Sequence, residues 1–185
     1  MNTKKFNALF LENLKTIKDG LKTDDEIGAV LRIHLICEHF LEIYICHICN
    51  QEKMFWFQEK NKEEQKITIS FDHKLKMAKT LGLPEWNYKI LANLNTIRNR
   101  LAHRIGQQVC QKKIESIKTT IKSDIEPLGI LDVSLEEFGI ETYSDTGQSS
   151  FKLTLNNCSK PHQELVIYIY YTLMATVILN SSTSN

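Results

Sequence analysis

The segment that most constrains this chain is residues 165–179, LVIYIYYTLMATVIL, which is apolar nearly all the way round a helix. A membrane-spanning helix needs about 20 such residues. This run is shorter and is interrupted by Tyr168, Tyr170, Tyr171, Thr172 and Thr176, so it reads as a buried core helix and no membrane is expected. A chain of 185 residues is long enough to form one domain, which at that size buries roughly 70% of its unfolded surface without staples. We expect a single domain over residues 1–180 and a disordered tail over 181–185.

The remaining periodicity is also helical. Phe6, Leu9, Phe10, Asn13, Leu14 and Ile17 share one face of a first helix that ends near Gly20. Thr23, with Glu26 three residues on, has the pattern of a capping box at the head of a second helix reaching about Asn50. Along it Ile27, Leu31, His34, Glu38, Leu41, Ile45 and Ile48 form a stripe that is apolar except for His34 and Glu38. Residues 51–70, rich in Glu and Lys, are expected as a loose helix-to-loop transition.

A third helix carries Phe71, Leu75, Ala78 and Leu81, stopped by Gly82 in a left-handed cap and by Pro84. A fourth spans about 86–105, with Leu91, Leu94, Ile97, Leu101 and Ile105 inward. Ile114, Ile117 and Ile121 mark a fifth, which Glu126-Pro127 closes, and Pro161 opens the last. Between them, residues 139–155 alternate in polarity around Ser144-Asp145-Thr146-Gly147, which predicts a small β-hairpin. The expected architecture is mainly all-α: an antiparallel bundle of about six helices with that hairpin.

Twenty-three Lys and Arg against 22 Asp and Glu leave a formal charge of +1. No global positive field gathers nucleic acid, so any such contact must be local. The five cysteines are an odd number, and the first residues lack the basic, apolar and small-residue succession of a signal peptide. Both point to reduced thiols and a cytoplasmic location. Cys46 and Cys49 have zinc-ligand spacing, but one helix cannot close a tetrahedral site alone and a second pair is missing. The cysteines are read as structural, with no metal or cofactor expected.

One local patch stands out. Arg98-Asn99-Arg100-Leu101-Ala102-His103-Arg104 holds three guanidiniums and an imidazole in a nearly neutral chain. On a helix Asn99 and His103 share a face with Asn95, and Arg98 lies about 100° from Asn99. Arg98, Asn99 and His103 can therefore converge on one small anion, flanked by Arg100 and Arg104. This set suits phosphodiester cleavage without metal: histidine moves a proton and arginine steadies the charged transition state. The plainer alternative is a solvated face with an ordinary surface histidine. Phe55, Trp56 and Phe57, beside Lys53 and Lys60, could stack RNA bases or serve as core or a dimer contact.

The stretch from Phe71 through Lys74-Leu75, Met77-Ala78 and Leu81-Gly82-Leu83, followed by Leu91, Leu94 and Ile97-Arg98-Asn99-Arg100-Leu101-Ala102-His103, resembles the HEPN superfamily. The mannitol-repressor-like branch looks nearest. The resemblance covers roughly residues 24–107. It implies a helical bundle that forms a homodimer with two motifs lining one cleft, and roles for Arg98, Asn99 and His103 in a metal-independent endoribonuclease of toxin–antitoxin or defence type. A protein partner, antitoxin or regulator, goes with it. It also implies support from the long second helix, where Glu38 or His34 is placed to act and an ion pair from Glu38 to Arg98 is expected. The mannitol-repressor-like branch carries the other implication, a non-catalytic transcriptional regulator or dimeric scaffold.

Overall fold

The computed structural model describes residue 8 and residues 25–57, 63–103, 109–143 and 149–182. Apart from Ala8, the expected first helix lies outside them. Five α-helices occur among the described residues: α1 (Glu26–Ile48), α2 (Phe71–Thr80), α3 (Glu85–His103), α4 (Gln111–Thr120) and α5 (Pro161–Ser182). Two small antiparallel strand pairs accompany them, β1 (Trp56–Phe57) with β2 (Gln65–Lys66), and β3 (Gly139–Tyr143) with β4 (Ser149–Thr154).

Helix α1 is capped two residues later than the expected cap at Thr23. Asp25 caps it, accepting from the Gly28 amide at 3.0 Å, so a carboxylate meets the positive end of the helix dipole. At the other end Asn50 adopts a left-handed φ of 52°, and the amides of Asn50 and Gln51 return to the carbonyls of His47 and Cys46. The stripe read from the sequence is also rotated. Ile27 and Ile48 lie on the surface, whereas Val30, Ile33, Cys37, Phe40, Leu41 and Tyr44 are buried. The cause is that α2, α3 and α5 all pack on this helix, so it buries far more than one face.

Helix α2 is capped by Ser70 and ends as its residues foretell. Gly82 takes a φ of 99°, its amide reaches the Lys79 carbonyl, and the Leu83 amide reaches that of Ala78. Between α1 and α2 the expected loose transition is instead the β1–β2 ladder, Trp56 opposite Lys66 and Phe57 opposite Gln65. Helix α4 loosens into a π-helical turn over Ile121–Ile125 and then a 3-10 turn over Glu126–Leu128, where Pro127 has no amide proton to continue the ladder.

The apolar segment forms α5, which packs on α1, α3, α4, the π-helical turn and β4. It is longer than its apolar run, keeping Ser181 and Ser182 helical where a tail was expected. By length and composition alone, residues 161–181 could cross a membrane. Here they are walled in by protein, with Leu165, Ile167, Tyr168, Leu173 and Ala175 buried. Three of the hydroxyls that interrupt the run find partners inside: Thr172 donates to the Tyr168 carbonyl, Thr176 to the Thr172 carbonyl, and Tyr171 to the Val133 carbonyl. Polar groups bonded in this way can be buried without the desolvation penalty of orphaned ones. The β3–β4 pair is the hairpin expected from residues 139–155, with a register shift between Thr142 and Tyr143.

Candidate functional site

The motif occupies the last two turns of α3. Leu91, Leu94, Ile97 and Leu101 point into the core and fix the helix's rotation, which leaves Asn99, Arg100 and His103 exposed and Arg98 half-buried. Arg104 lies outside the described residues. The Arg98 Nη1 donates to Asn99 Oδ1 at 3.0 Å, and its Nε is buried without a hydrogen-bond partner among the described residues. Arg100 Nη1 contacts Cys110 Sγ at 3.2 Å.

From α1, His34 meets this helix one turn before the motif. Its Nε2 lies 3.1 Å from Asn95 Oδ1, so the amide oxygen accepts and the ring carries its proton on Nε2. The ring also lies against Phe71, with 4.1 Å between centroids. Burial lowers the His34 pKa, and the charges of Arg98 and Lys74 lower it further against the opposing Asn95 bond and Glu38 charge. The imidazole thus lies within the fields of Arg98, Glu38 and Lys74.

The expected ion pair from Glu38 to Arg98 is not formed. Glu38 binds Lys74 of α2 instead, Nζ to Oε1 at 2.7 Å, and Lys74 reaches Glu42 at 2.6 Å. Lys66 of β2 closes on the other Glu42 oxygen at 2.7 Å, with His39 at 3.7 Å from it. The reason is burial: the Lys74 side chain is only 4% exposed, and a cation so deep needs carboxylates. Glu38 and Glu42 stand one turn apart on the facing helix and supply them, which leaves Arg98 free of a carboxylate partner among the described residues.

Sequence reasoning singled out His34 and Glu38 on α1, of which His34 is buried and Glu38 half-buried, but missed Lys74, Glu42 and Lys66. A signal for Lys74 was present: it falls between Phe71 and Leu75 on the buried face of α2, where a lysine implies buried acids. Of the aromatic cluster, Phe55 is buried and lies 5.8 Å from the Lys74 ammonium, while Trp56 and Phe57 are exposed. Lys53 is paired with Glu64, and Lys60 lies outside the described residues. All five cysteines are unpaired. Burial pushes the Cys37 and Cys46 thiols up, and burial, with the Glu164 charge added, pushes Cys158 up to about 11, so these three are protonated at neutral pH.

Compared with models of known families, with characterised proteins and with solved structures, the chain matches none.

Proposed function

We propose that this chain is a HEPN-like RNA-binding protein that cleaves RNA without metal at Arg98, Asn99 and His103. The observation that carries the reading is the state of Arg98: its buried Nε has no partner among the described residues, and the acid expected to neutralise it is engaged by Lys74. A guanidinium whose charge no carboxylate neutralises attracts a phosphate oxygen. Exposure of Asn99 and His103 on the same helix end supports the same reading, because a proton carrier must reach its substrate.

In the reaction proposed, the ribose 2′-hydroxyl gives up its proton as its oxygen bonds to phosphorus. The bond from phosphorus to the 5′-oxygen breaks, that oxygen takes a proton, and a 2′,3′-cyclic phosphate remains. His103 carries one of these protons, Arg98 stabilises the charge gathering on the phosphoryl oxygens, and Asn99 orients the guanidinium through the bond they already share. Arg100 and Arg104 add attraction for the backbone. A homodimer bringing two motifs to one cleft would supply a second histidine for the other proton. We place this activity in the cytoplasm under control of an antitoxin-like protein partner.

The test is cleavage of labelled total and transfer RNA in EDTA by the purified chain and by His103→Ala of equal melting temperature. Cleavage lost in the variant is the expected result. Equal inactivity of both, with no RNA bound, overturns the reading in favour of a non-catalytic regulator or scaffold.

A further inference from the structure

A cleft of about 260 Å³ opens between α1, α2 and the segment following β2, and its lining includes Leu35, Glu38, Glu42, Ile67 and Lys74. Leu35 and Ile67 are exposed apolar side chains on this lining, and Leu35 is 62% exposed. An ammonium has three protons, and Lys74 gives one to Glu38 and one to Glu42, so one remains. Glu38 has one oxygen on Lys74 and its other is without a partner among the described residues. An open carboxylate oxygen therefore stands beside a mostly buried ammonium that lines the same cleft and has one proton not given to a carboxylate, with apolar side chains alongside.

A single nucleobase matches that order of groups. Guanine presents two adjacent donors, N1–H and the N2 amino group, followed by the O6 acceptor. The donors suit a carboxylate and O6 suits an ammonium. Adenine would turn its N1 lone pair on the carboxylate, cytosine offers one donor beside acceptors, and uracil flanks its one donor with carbonyls. A guanidinium ligand would satisfy Glu38 but set a cation against Lys74 and Lys66. The cleft also neighbours the motif: Glu38 follows His34 by one helical turn, and His34 is bonded to Asn95 of the motif helix.

We propose that this cleft receives the guanine base of an RNA whose adjoining phosphate lies at Arg98, so that Glu38 and Lys74 make the site guanine-selective. This rests on the RNA-cleaving reading above. Glu38 is on this view a specificity residue that touches the base and takes no part in proton transfer.

The experiment is calorimetric titration of the full chain with 2′-O-methyl trinucleotides UGU, UAU, UCU and UUU, which lack the attacking hydroxyl and cannot be cleaved. UGU is expected to bind roughly ten- to a hundredfold more tightly than the others, as a bidentate base contact discriminates. Glu38→Gln should bring UGU to the level of the rest, and Leu35→Trp, a surface change that covers the cleft mouth, should do the same. Arg98→Ala should weaken all four alike. Equal binding of the four by the native chain overturns the proposal, as does a UGU preference that survives Glu38→Gln or Leu35→Trp. So does tighter binding of free 5′-GMP than of UGU, untouched by Arg98→Ala, which marks a nucleotide site unrelated to RNA. Unmodified RNA incubated in parallel separates the two ideas: cleavage without base preference refutes only the guanine cleft, and guanine preference without cleavage refutes only the ribonuclease.

Discussion

Replacing Glu42 by Gln tests the buried charge cluster directly. Glu42 is 7% exposed, and burial alone would raise its pKa. Bonds from His39, Lys66 and Lys74 outweigh burial and hold the carboxyl at about 2, against an ordinary 4.5. At about 1.4 kcal/mol per tenfold, that difference corresponds to about 3 kcal/mol of folding free energy at neutral pH. The exposed Lys66 is screened by water, so about 2 to 3 kcal/mol is the expected loss in Glu42→Gln. For a domain of this size the melting temperature should fall by roughly 4–12 °C.

The pH dependence carries the sharper test. A carboxyl held low in the folded chain contributes fully above its unfolded pKa near 4.5, and the contribution fades as pH falls towards 2. Protonated glutamate and glutamine are nearly the same shape, so native chain and variant should converge in acid. Urea unfolding at pH 7, 5, 4 and 3 would measure the gap, which should shrink to less than half its neutral value by pH 3. A gap that stays constant from pH 7 to 3, or is absent at pH 7, refutes the reasoning: the first would make the loss one of packing, the second would make the cluster energetically idle.

Two further outcomes are expected. The His34 pKa, held below 6.5 in the folded chain, should lend stability that is lost as pH drops below that value; Arg98→Ala should raise its NMR titration midpoint, and an unmoved midpoint would show that Arg98 does not act on His34. Gly82→Ala should cost about 1 to 2 kcal/mol for its left-handed backbone alone, because the nearest atom to an added Cβ is Tyr44 Oη at 4.0 Å; a neutral result in thermal melts would remove the cap argument.

What could be read in the residues was chiefly what local chemistry decides. Gly82 before Pro84 ends α2, the turn-rich residues 144–147 separate β3 from β4, and the apolar run becomes α5, all without distant partners being known. Features settled by the approach of separate elements were less legible. Which cation Glu38 takes depends on which neighbouring helix brings one within reach, and that is Lys74 of α2, buried and bonded to both Glu38 and Glu42. The two-residue β1–β2 ladder has too little sequence to announce itself. The motif helix was legible in its inner face, and the exposure of Asn99 and His103 follows from that face being buried.

The position of α5 in the chain also sets an order of events. It follows every other described element, yet α1, α3, α4 and the hairpin strand β4 all rest on it. During translation at roughly 5–20 residues per second, its 22 residues take about one to four seconds to synthesise. Until then the earlier helices hold apolar faces with nothing between them. The nascent chain therefore exposes those apolar faces over that interval, and burial of the core against α5, on which both α1 and α3 pack, comes last.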